Sequence, residues 1–135
     1  MLKLQDLLHA QIQYRASDLI LKVGSPPILR VNGDLNPLSL PPVAEIDIES
    51  GIVEMLRKEQ IEEFKKSSEL DTSYELPGIA RFRVNLFRQR GNLGAVFRLI
   101  PARIPIIDEL GFPELLKEMV LRPRGLIVVT GTSGC

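Results

Sequence analysis

The sequence is poor in the residue types that build disulfides and metal centres. Its 135 residues include one cysteine, Cys135, and one histidine, His9. A single cysteine at the last position excludes an internal disulfide and a metal cluster built from thiolates. We expect His9 to have a structural or surface role, because no serine or cysteine with a matching acid lies near it in sequence to suggest a triad.

The sequence also lacks long apolar runs and any excess of charge. Its longest apolar runs are a few residues, far below the roughly 20 needed to cross a bilayer. The first residues do not have the basic and then apolar layout of a signal peptide. Seventeen basic side chains balance seventeen acidic ones, which argues against bulk attraction to nucleic acid or anionic membranes. We therefore expect a cytoplasmic protein with no nucleic-acid partner and no membrane insertion.

The order of hydrophobic patterns and turn signals predicts an α+β domain. The predicted elements are, in chain order, a helix from Leu2 to about Tyr14, strands at 19–24, 28–33 and 35–40, a helical pair after Pro42 with a break near Glu59-Gln60, and strands at 71–76, 80–87 and 94–100. In the first helix we expect Gln11 to fall outside the apolar face. The last three strands are expected to form the centre of the sheet.

The residues after Ile100 follow a different pattern. Prolines and irregular apolar residues predict a linker at 101–112, Pro113 opens a short helix, and the apolar run 126–129 predicts a buried strand. Gly131-Thr132-Ser133-Gly134 then begins like a phosphate-binding loop, but the glycine, lysine and hydroxyl residue that complete its signature are missing. The sequence thus predicts one domain at 1–100, a linker at 101–112 and the start of another domain at 113–135.

Arginines are concentrated around the last two strands of the first domain, and they comprise Arg81, Arg83, Arg88, Arg90 and Arg98. Arg81 and Arg83 alternate with apolar residues and so share one face of their strand. Arg98 lies in an otherwise apolar row and requires an anionic partner. Two interpretations stay open: a cluster that binds phosphate through paired donors, or a solvated face with surface ion pairs to Asp71 and Glu75. The strand pattern alone favours the second.

Other charged residues are expected to have no role in a site. Asp18 and Asp34 occupy predicted turns, where a carboxylate accepts backbone N–H bonds. The mixed charges between Arg57 and Lys66 predict a solvated helix face.

Three stretches resemble the twitching-motility ATPases of type IV pili, the PilT type, within the type II/IV secretion ATPase superfamily. They are ASDLILKVGSPPILRVNGDL, GIARFRVNLFRQRGNLGAVFRLIPARIP and LRPRGLIVVTGTSG. The resemblance implies a PAS-like amino-terminal domain with an antiparallel sheet flanked by helices. It also implies that a linker and the first helix and strand of a RecA-like ATPase domain follow, ending inside the Walker A loop. Ile20 departs from the family, where many relatives have histidine, as does Cys135, where serine is usual.

The resemblance also implies a function for the full-length protein. That protein would be a homohexamer at the pilus base, cytoplasmic and peripheral to the inner membrane, which hydrolyses ATP with Mg²⁺ to retract the pilus. Its partners would be the ATPase domains of its own and neighbouring subunits and an inner-membrane platform protein. Arg83 and Arg98 would be the catalytic, phosphate-contacting residues. The ATP-binding residues would be Arg81, Arg88, Arg90, Gly131, Thr132, Ser133 and Gly134.

The chain by itself is expected to be a non-catalytic interaction domain with no cofactor and no metal. Retraction is the preferred subclass because the chain starts directly at this domain, whereas assembly and secretion ATPases usually carry extra amino-terminal domains. Two alternatives stay open: the same domain from a pilus-assembly or type II secretion ATPase, and a PAS-like ligand sensor, which would require an apolar pocket with convergent polar groups.

Overall fold

Six strands form one antiparallel sheet in the order β3-β2-β1-β6-β5-β4. The strands are β1 (Asp18–Lys22), β2 (Ile28–Val31), β3 (Asp34–Pro37), β4 (Glu69–Leu76), β5 (Ala80–Gln89) and β6 (Asn92–Ile100), and the helices are α1 (Leu4–Gln13), α2 (Glu45–Met55), α3 (Lys58–Ser67) and α4 (Glu114–Val120). The computed structural model describes residues 2–101, 103 and 105–131. The predicted α+β fold, an antiparallel sheet flanked by helices, is confirmed.

The chain divides into two units, Met1–Ile100 and Pro101–Cys135. All six strands and the helices α1, α2 and α3 belong to the first unit. The second unit contains α4, which begins just after Pro113 as the sequence predicts.

The core of the first unit lies on one side of the sheet. Phe82, Val84 and Leu86 alternate along β5, and each is completely buried. They form one apolar cluster with residues of the helices, among them Leu8 of α1 and Phe64 of α3. Because side chains of a strand alternate between two faces, the residues between them lie on the opposite face, which we call the outer face.

Two tight hairpins set the register of the sheet. Asn32 and Gly33, between β2 and β3, have φ values of 51° and 91°. Arg90 and Gly91, between β5 and β6, have φ values of 52° and 81°. Two consecutive residues with positive φ match the right-handed twist of the flanking strands, which explains the predicted turn at Asn32-Gly33.

Asp47 ties the beginnings of two helices together. Its Oδ2 accepts a hydrogen bond from the backbone N–H of Ala44 at 2.9 Å, at the residue just before α2. Its Oδ1 accepts one from the N–H of Leu2, also at 2.9 Å, just before α1. The carboxylate thus fixes the start of α1 against the start of α2.

Two of the predictions about the arrangement of elements are wrong. The last three strands do not form the centre of the sheet, because β1 pairs with β6 and leaves β4 at an edge. The break in the helical pair lies at Leu56-Arg57 rather than at Glu59-Gln60. Leu56 is extended and buried, so the helix ends where the chain turns its side chain into the core.

The predicted strand at 126–129 is also wrong. These four residues are assigned to no strand, and Leu126 and Val129 are each 87% exposed. A strand is defined by backbone hydrogen bonds to a neighbour, and the described residues supply no such partner for this segment. Apolar composition alone therefore gave the wrong structure here.

Candidate functional site: an arginine face on the sheet

The outer face carries a row of charged residues that crosses four adjacent strands. The pairing register places Arg30 opposite Asp18, Asp18 opposite Arg98, and Arg98 opposite Arg83. We call these four residues the arginine row. Its order across the sheet is β2, β1, β6 and β5. Side chains opposite one another in neighbouring strands are close enough to interact directly, so the row is one electrostatic unit.

Asp18 lies at the centre of this row and holds two arginines. Its side chain is only 5% exposed. Its Oδ1 accepts a hydrogen bond from Arg98 Nε at 2.9 Å, and its Oδ2 lies 3.1 Å from Arg30 Nε. The hydroxyl of Ser17 also donates to Oδ2, at 2.9 Å. The prediction that Asp18 occupies a turn and accepts backbone N–H bonds is wrong, because it is the first residue of β1 and its recorded partners are side chains.

Arg98 has the anionic partner that its position in an apolar row requires. Its neighbours along the outer face of β6 are Val96 and Ile100, as the alternation predicts. Its side chain is nevertheless 63% exposed, because Asp18 engages only Nε. Among the described residues the two terminal nitrogens of Arg98 have no hydrogen-bond acceptor. They retain donors for a ligand oxygen.

Arg83 is held by a different and exposed carboxylate. Its Nε lies 3.1 Å from each oxygen of Asp71, and its Nη2 also donates to Oδ2. This hydrogen bond lowers the pKa of Asp71 and raises that of Arg83. Asp71 is one of the two surface partners that the ion-pair interpretation proposes. Arg83 therefore has one terminal nitrogen, Nη1, without an acceptor in the described part of the chain.

Arg83 and Arg98 line one shallow depression on the outer face together with Asp71, Asn85 and Val96. Two guanidinium groups and an amide converge there, beside one carboxylate. Guanidinium groups offer parallel N–H donors that match the oxygens of phosphate or carboxylate groups. This is the chemistry of a site for a polyvalent anion.

The structure brings only some of the predicted arginines together. Arg81 shares the outer face with Arg83, opposite Glu75 of β4 and Ile100 of β6. Arg88 is opposite Leu93, which is buried, and its Nη1 lies 3.1 Å from Glu45 of α2, so it lies on the helix side of the sheet. Arg90 is in the β5–β6 hairpin with positive φ.

The loop residues of the predicted phosphate site fall mostly outside the described residues. Gly131 is described and exposed, whereas Thr132, Ser133 and Gly134 lie beyond the part of the chain that the structure describes. In the described ranges, histidine, cysteine, aspartate and glutamate form no group of three or more that could hold a metal ion.

Sequence reasoning missed Arg30 and Gln11. Arg30 is the polar residue in ILRV. A strand of four residues is too short to establish an alternation. Gln11 is fully buried, although we expected it outside the apolar face of α1. Its Nε2 donates to the carbonyl oxygens of Phe97 at 2.9 Å and Ser17 at 3.2 Å, so it fixes the residues next to Arg98 and Asp18.

Comparison with known proteins identifies relatives that cover almost the whole chain. The type IV pilus retractation ATPase PilT of Pseudomonas aeruginosa is 42% identical over 129 residues, which are 96% of this chain and 38% of that protein. A twitching motility protein of Neisseria gonorrhoeae is 34% identical over 80% of this chain and 29% of that protein. No family model matches the chain.

Solved structures give the same result. A crystal structure of the pilus retraction motor PilT with bound ADP matches with a TM-score of 0.76 and 30% identity, over 90% of this chain and 36% of that one. The Legionella pneumophila ATPase DotB has a TM-score of 0.74 at 21% identity, over 90% of this chain and 35% of that one, which shows a shared fold.

The fold and these matches define a domain of the type IV pilus ATPases. More narrowly, the chain belongs to the PilT-type ATPases of type IV pili and corresponds to their amino-terminal region. It spans slightly more than a third of the length of the PilT protein that it matches at 42% identity. None of the helices in the described residues is long and apolar enough to cross a membrane.

Proposed function

We propose that the chain is the amino-terminal part of an ATP-hydrolysing motor that retracts type IV pili and so powers twitching motility. Support comes from the relatives whose names state retraction or twitching motility, at 42% and 34% identity. In this proposal residues 1–100 are a PAS-like domain, 101–112 a linker, and 113–135 the start of a RecA-like ATPase domain. Retraction is preferred over assembly or secretion because of those relatives.

Arg83 lies directly opposite Arg98 on the outer face, and this placement is the main support for a role at the nucleotide. In the proposal both arginines contact the phosphates of ATP held by the ATPase domain of the full-length protein, and Arg81 lies beside them. Negative charge spreads over the oxygens of the transferred phosphoryl group during hydrolysis, so fixed guanidinium groups stabilise the transition state. The chain itself supplies arginines and contacts but no complete catalytic centre.

ATP is the cofactor in this proposal, with Mg²⁺ in the full-length protein. The residues matching the start of Walker A would line its phosphates: Gly131, Thr132, Ser133 and Gly134. Arg88 and Arg90 are weaker candidates than the sequence suggests, because Arg88 pairs with Glu45 and neither belongs to the arginine row. A bound nucleotide has its precedent in the ADP of the PilT crystal structure.

The assembly we propose is a cytoplasmic homohexamer, peripheral to the inner membrane, in which this domain contacts the ATPase domains of its own and a neighbouring subunit. Nucleotide binding and release would rotate the domains across the 101–112 linker. The same assembly would contact a platform protein in the inner membrane at the pilus base.

The test is ATPase turnover of the full-length protein with Arg83→Ala and Arg98→Ala, each at saturating ATP. Arg57→Ala, an exposed arginine at the start of α3, is the matched control. We expect a loss of about a hundredfold or more in kcat for a phosphate-contacting arginine, with hexamers retained and the control unchanged. Wild-type turnover in both variants would refute a role at the nucleotide.

A further inference from the structure

We propose that Asp18 is a positioning residue for the arginine row, and that Arg30 joins Arg98 as a phosphate-contacting arginine. This inference rests on the proposed function, because it assigns roles at the same anion site. Asp18 contacts both arginines through Nε: its Oδ1 accepts a hydrogen bond from Arg98, and its Oδ2 forms an ion pair with Arg30 at 3.1 Å. The two guanidinium groups are thereby held on either side of β1.

The mode of binding determines what remains for a ligand. A guanidinium group has five N–H donors, of which Nε carries one and the terminal nitrogens carry four. Asp18 takes the Nε donor of Arg98 and leaves the other four without an acceptor in the described residues. The Nε of Arg30 forms an ion pair with Asp18, and its Nη1 donates a long hydrogen bond, 3.4 Å, to the carbonyl oxygen of Gly33.

Burial distinguishes Asp18 from an ordinary surface partner. Its side chain is 5% exposed, whereas those of Arg30 and Arg98 are 40% and 63% exposed. A carboxylate that is shielded from water holds its partners more strongly than one in solvent. The buried carboxylate restrains the two arginines at Nε. Their exposed terminal nitrogens keep N–H donors for a ligand. Asp71 differs, because it is exposed and occupies both Nε and Nη2 of Arg83.

Charge on the row favours an anion even with Asp18 present. Three arginines and one aspartate in the row, together with Asp71, give a formal charge of +1. Fixing long side chains before the ligand arrives also reduces the conformational entropy lost on binding. Asp18 would therefore improve the geometry of the site at the cost of one unit of positive charge.

The experiment compares Asp18→Asn, Arg98→Ala, Arg30→Ala and the double variant Asp18→Asn/Arg98→Ala in the full-length ATPase. The expected kcat loss is about tenfold to a hundredfold for Asp18→Asn, with a similar direction for Arg30→Ala. The double variant should lose less than the product of the two single losses, because Asp18 acts partly through Arg98. Asp34→Asn, an exposed aspartate at the β2–β3 hairpin, is the control for loss of one carboxylate.

Arg98→Lys keeps the proposal testable if Asp18→Asn does not fold. Lysine retains the positive charge but cannot bind Asp18 through one nitrogen and present two others. The expected result is a kcat close to that of Arg98→Ala. Wild-type kcat in Arg98→Lys, or in Asp18→Asn, would overturn the positioning role, as would fully additive losses in the double variant. Wild-type kcat in Arg30→Ala would overturn its assignment to phosphate.

The two proposals fail in different ways. If Arg83→Ala and Arg98→Ala both retain full turnover, the nucleotide-linked function is wrong and the role of Asp18 falls with it. If Arg98→Ala is inactive while Asp18→Asn is fully active, the function stands and only the positioning role is wrong.

Discussion

Arg83 and Arg98 lie directly opposite each other on β5 and β6, yet each is anchored by a different carboxylate. Arg98 binds buried Asp18 of β1, and Arg83 binds exposed Asp71 of β4. The same pair of strands therefore presents one arginine with a shielded anchor and one with a solvent-accessible anchor. The two ion pairs should respond differently to salt, since solvent screens the exposed pair more strongly.

The pKa of Asp71 should be below its ordinary value and should depend on Arg83. The hydrogen bond to Arg83 favours the charged carboxylate, so Asp71 stabilises the folded state above the unfolded pKa of about 3.9. That contribution is lost as the pH falls through the lower folded pKa. Carboxyl carbon chemical shifts measured by NMR during an acid titration report this pKa. Arg83→Ala should raise it, whereas Arg81→Ala should leave it unchanged; an unchanged value in Arg83→Ala would contradict the pairing.

Gln11→Ala should destabilise the first unit by about 2–4 kcal/mol, through lost packing and through three carbonyl contacts of Nε2. The amide is fully buried, so these carbonyls have no ready access to water. Urea unfolding followed by circular dichroism measures the change in free energy of unfolding. Gln13→Ala, at an exposed position of the same helix, is the control and should change stability by less than about 0.5 kcal/mol.

Gly94→Ala should destabilise the sheet because of one aromatic ring. A Cβ at Gly94 would lie 2.6 Å from two ring atoms of Phe87, its cross-strand partner. The expected loss is about 1–3 kcal/mol, typical of overpacking, by the same urea assay. Phe87→Leu should recover part of this loss in the double variant.

Gly51→Ala provides the contrast. Its new Cβ would meet the end of the Leu4 side chain at 2.9 Å, where a flexible group can move, and alanine favours the helix. Gly51→Ala should therefore cost less than Gly94→Ala. Equal losses at both positions would contradict the role assigned to the Phe87 ring.

The isolated chain should self-associate weakly. Its second unit exposes several large apolar side chains, including Leu121 at 82% and Leu126 at 87%. Exposed apolar area favours association in water. Sedimentation velocity over a range of concentrations measures this, and replacing Leu121 and Leu126 by serine should reduce it. A monodisperse monomer at high concentration would contradict the prediction.

Periodicity predicted the faces of the sheet but not its order. Arg81 and Arg83 were placed correctly on the face opposite the apolar residues of β5, because alternation along one strand is local information. The pairing of β1 with β6 joins distant parts of the sequence, and no local pattern specifies it. The prediction of the sheet centre failed for this reason.

The same limit applies to the candidate site. The alternation in β6 predicted that Arg98 needs an anionic partner, but Asp18 is 80 residues away and was assigned to a turn. Gln11 was placed outside the apolar face because its amide is polar. Its burial is explained by three carbonyl acceptors, which the local sequence does not indicate. Asp71 was named from sequence as an available partner for the arginine cluster, and it pairs with Arg83 on the adjacent strand.

The pairing of β1 with β6 has a consequence for biosynthesis. The central pair of the sheet joins the first strand to the last, with Asp18 and Arg98 in register. Because the ribosome synthesises residues in order, β1 has no β6 to pair with until the chain has been synthesised through Ile100. Contacts of such high sequence separation slow folding. The ion pair between Asp18 and Arg98 therefore cannot form until nearly all of the first unit has been synthesised.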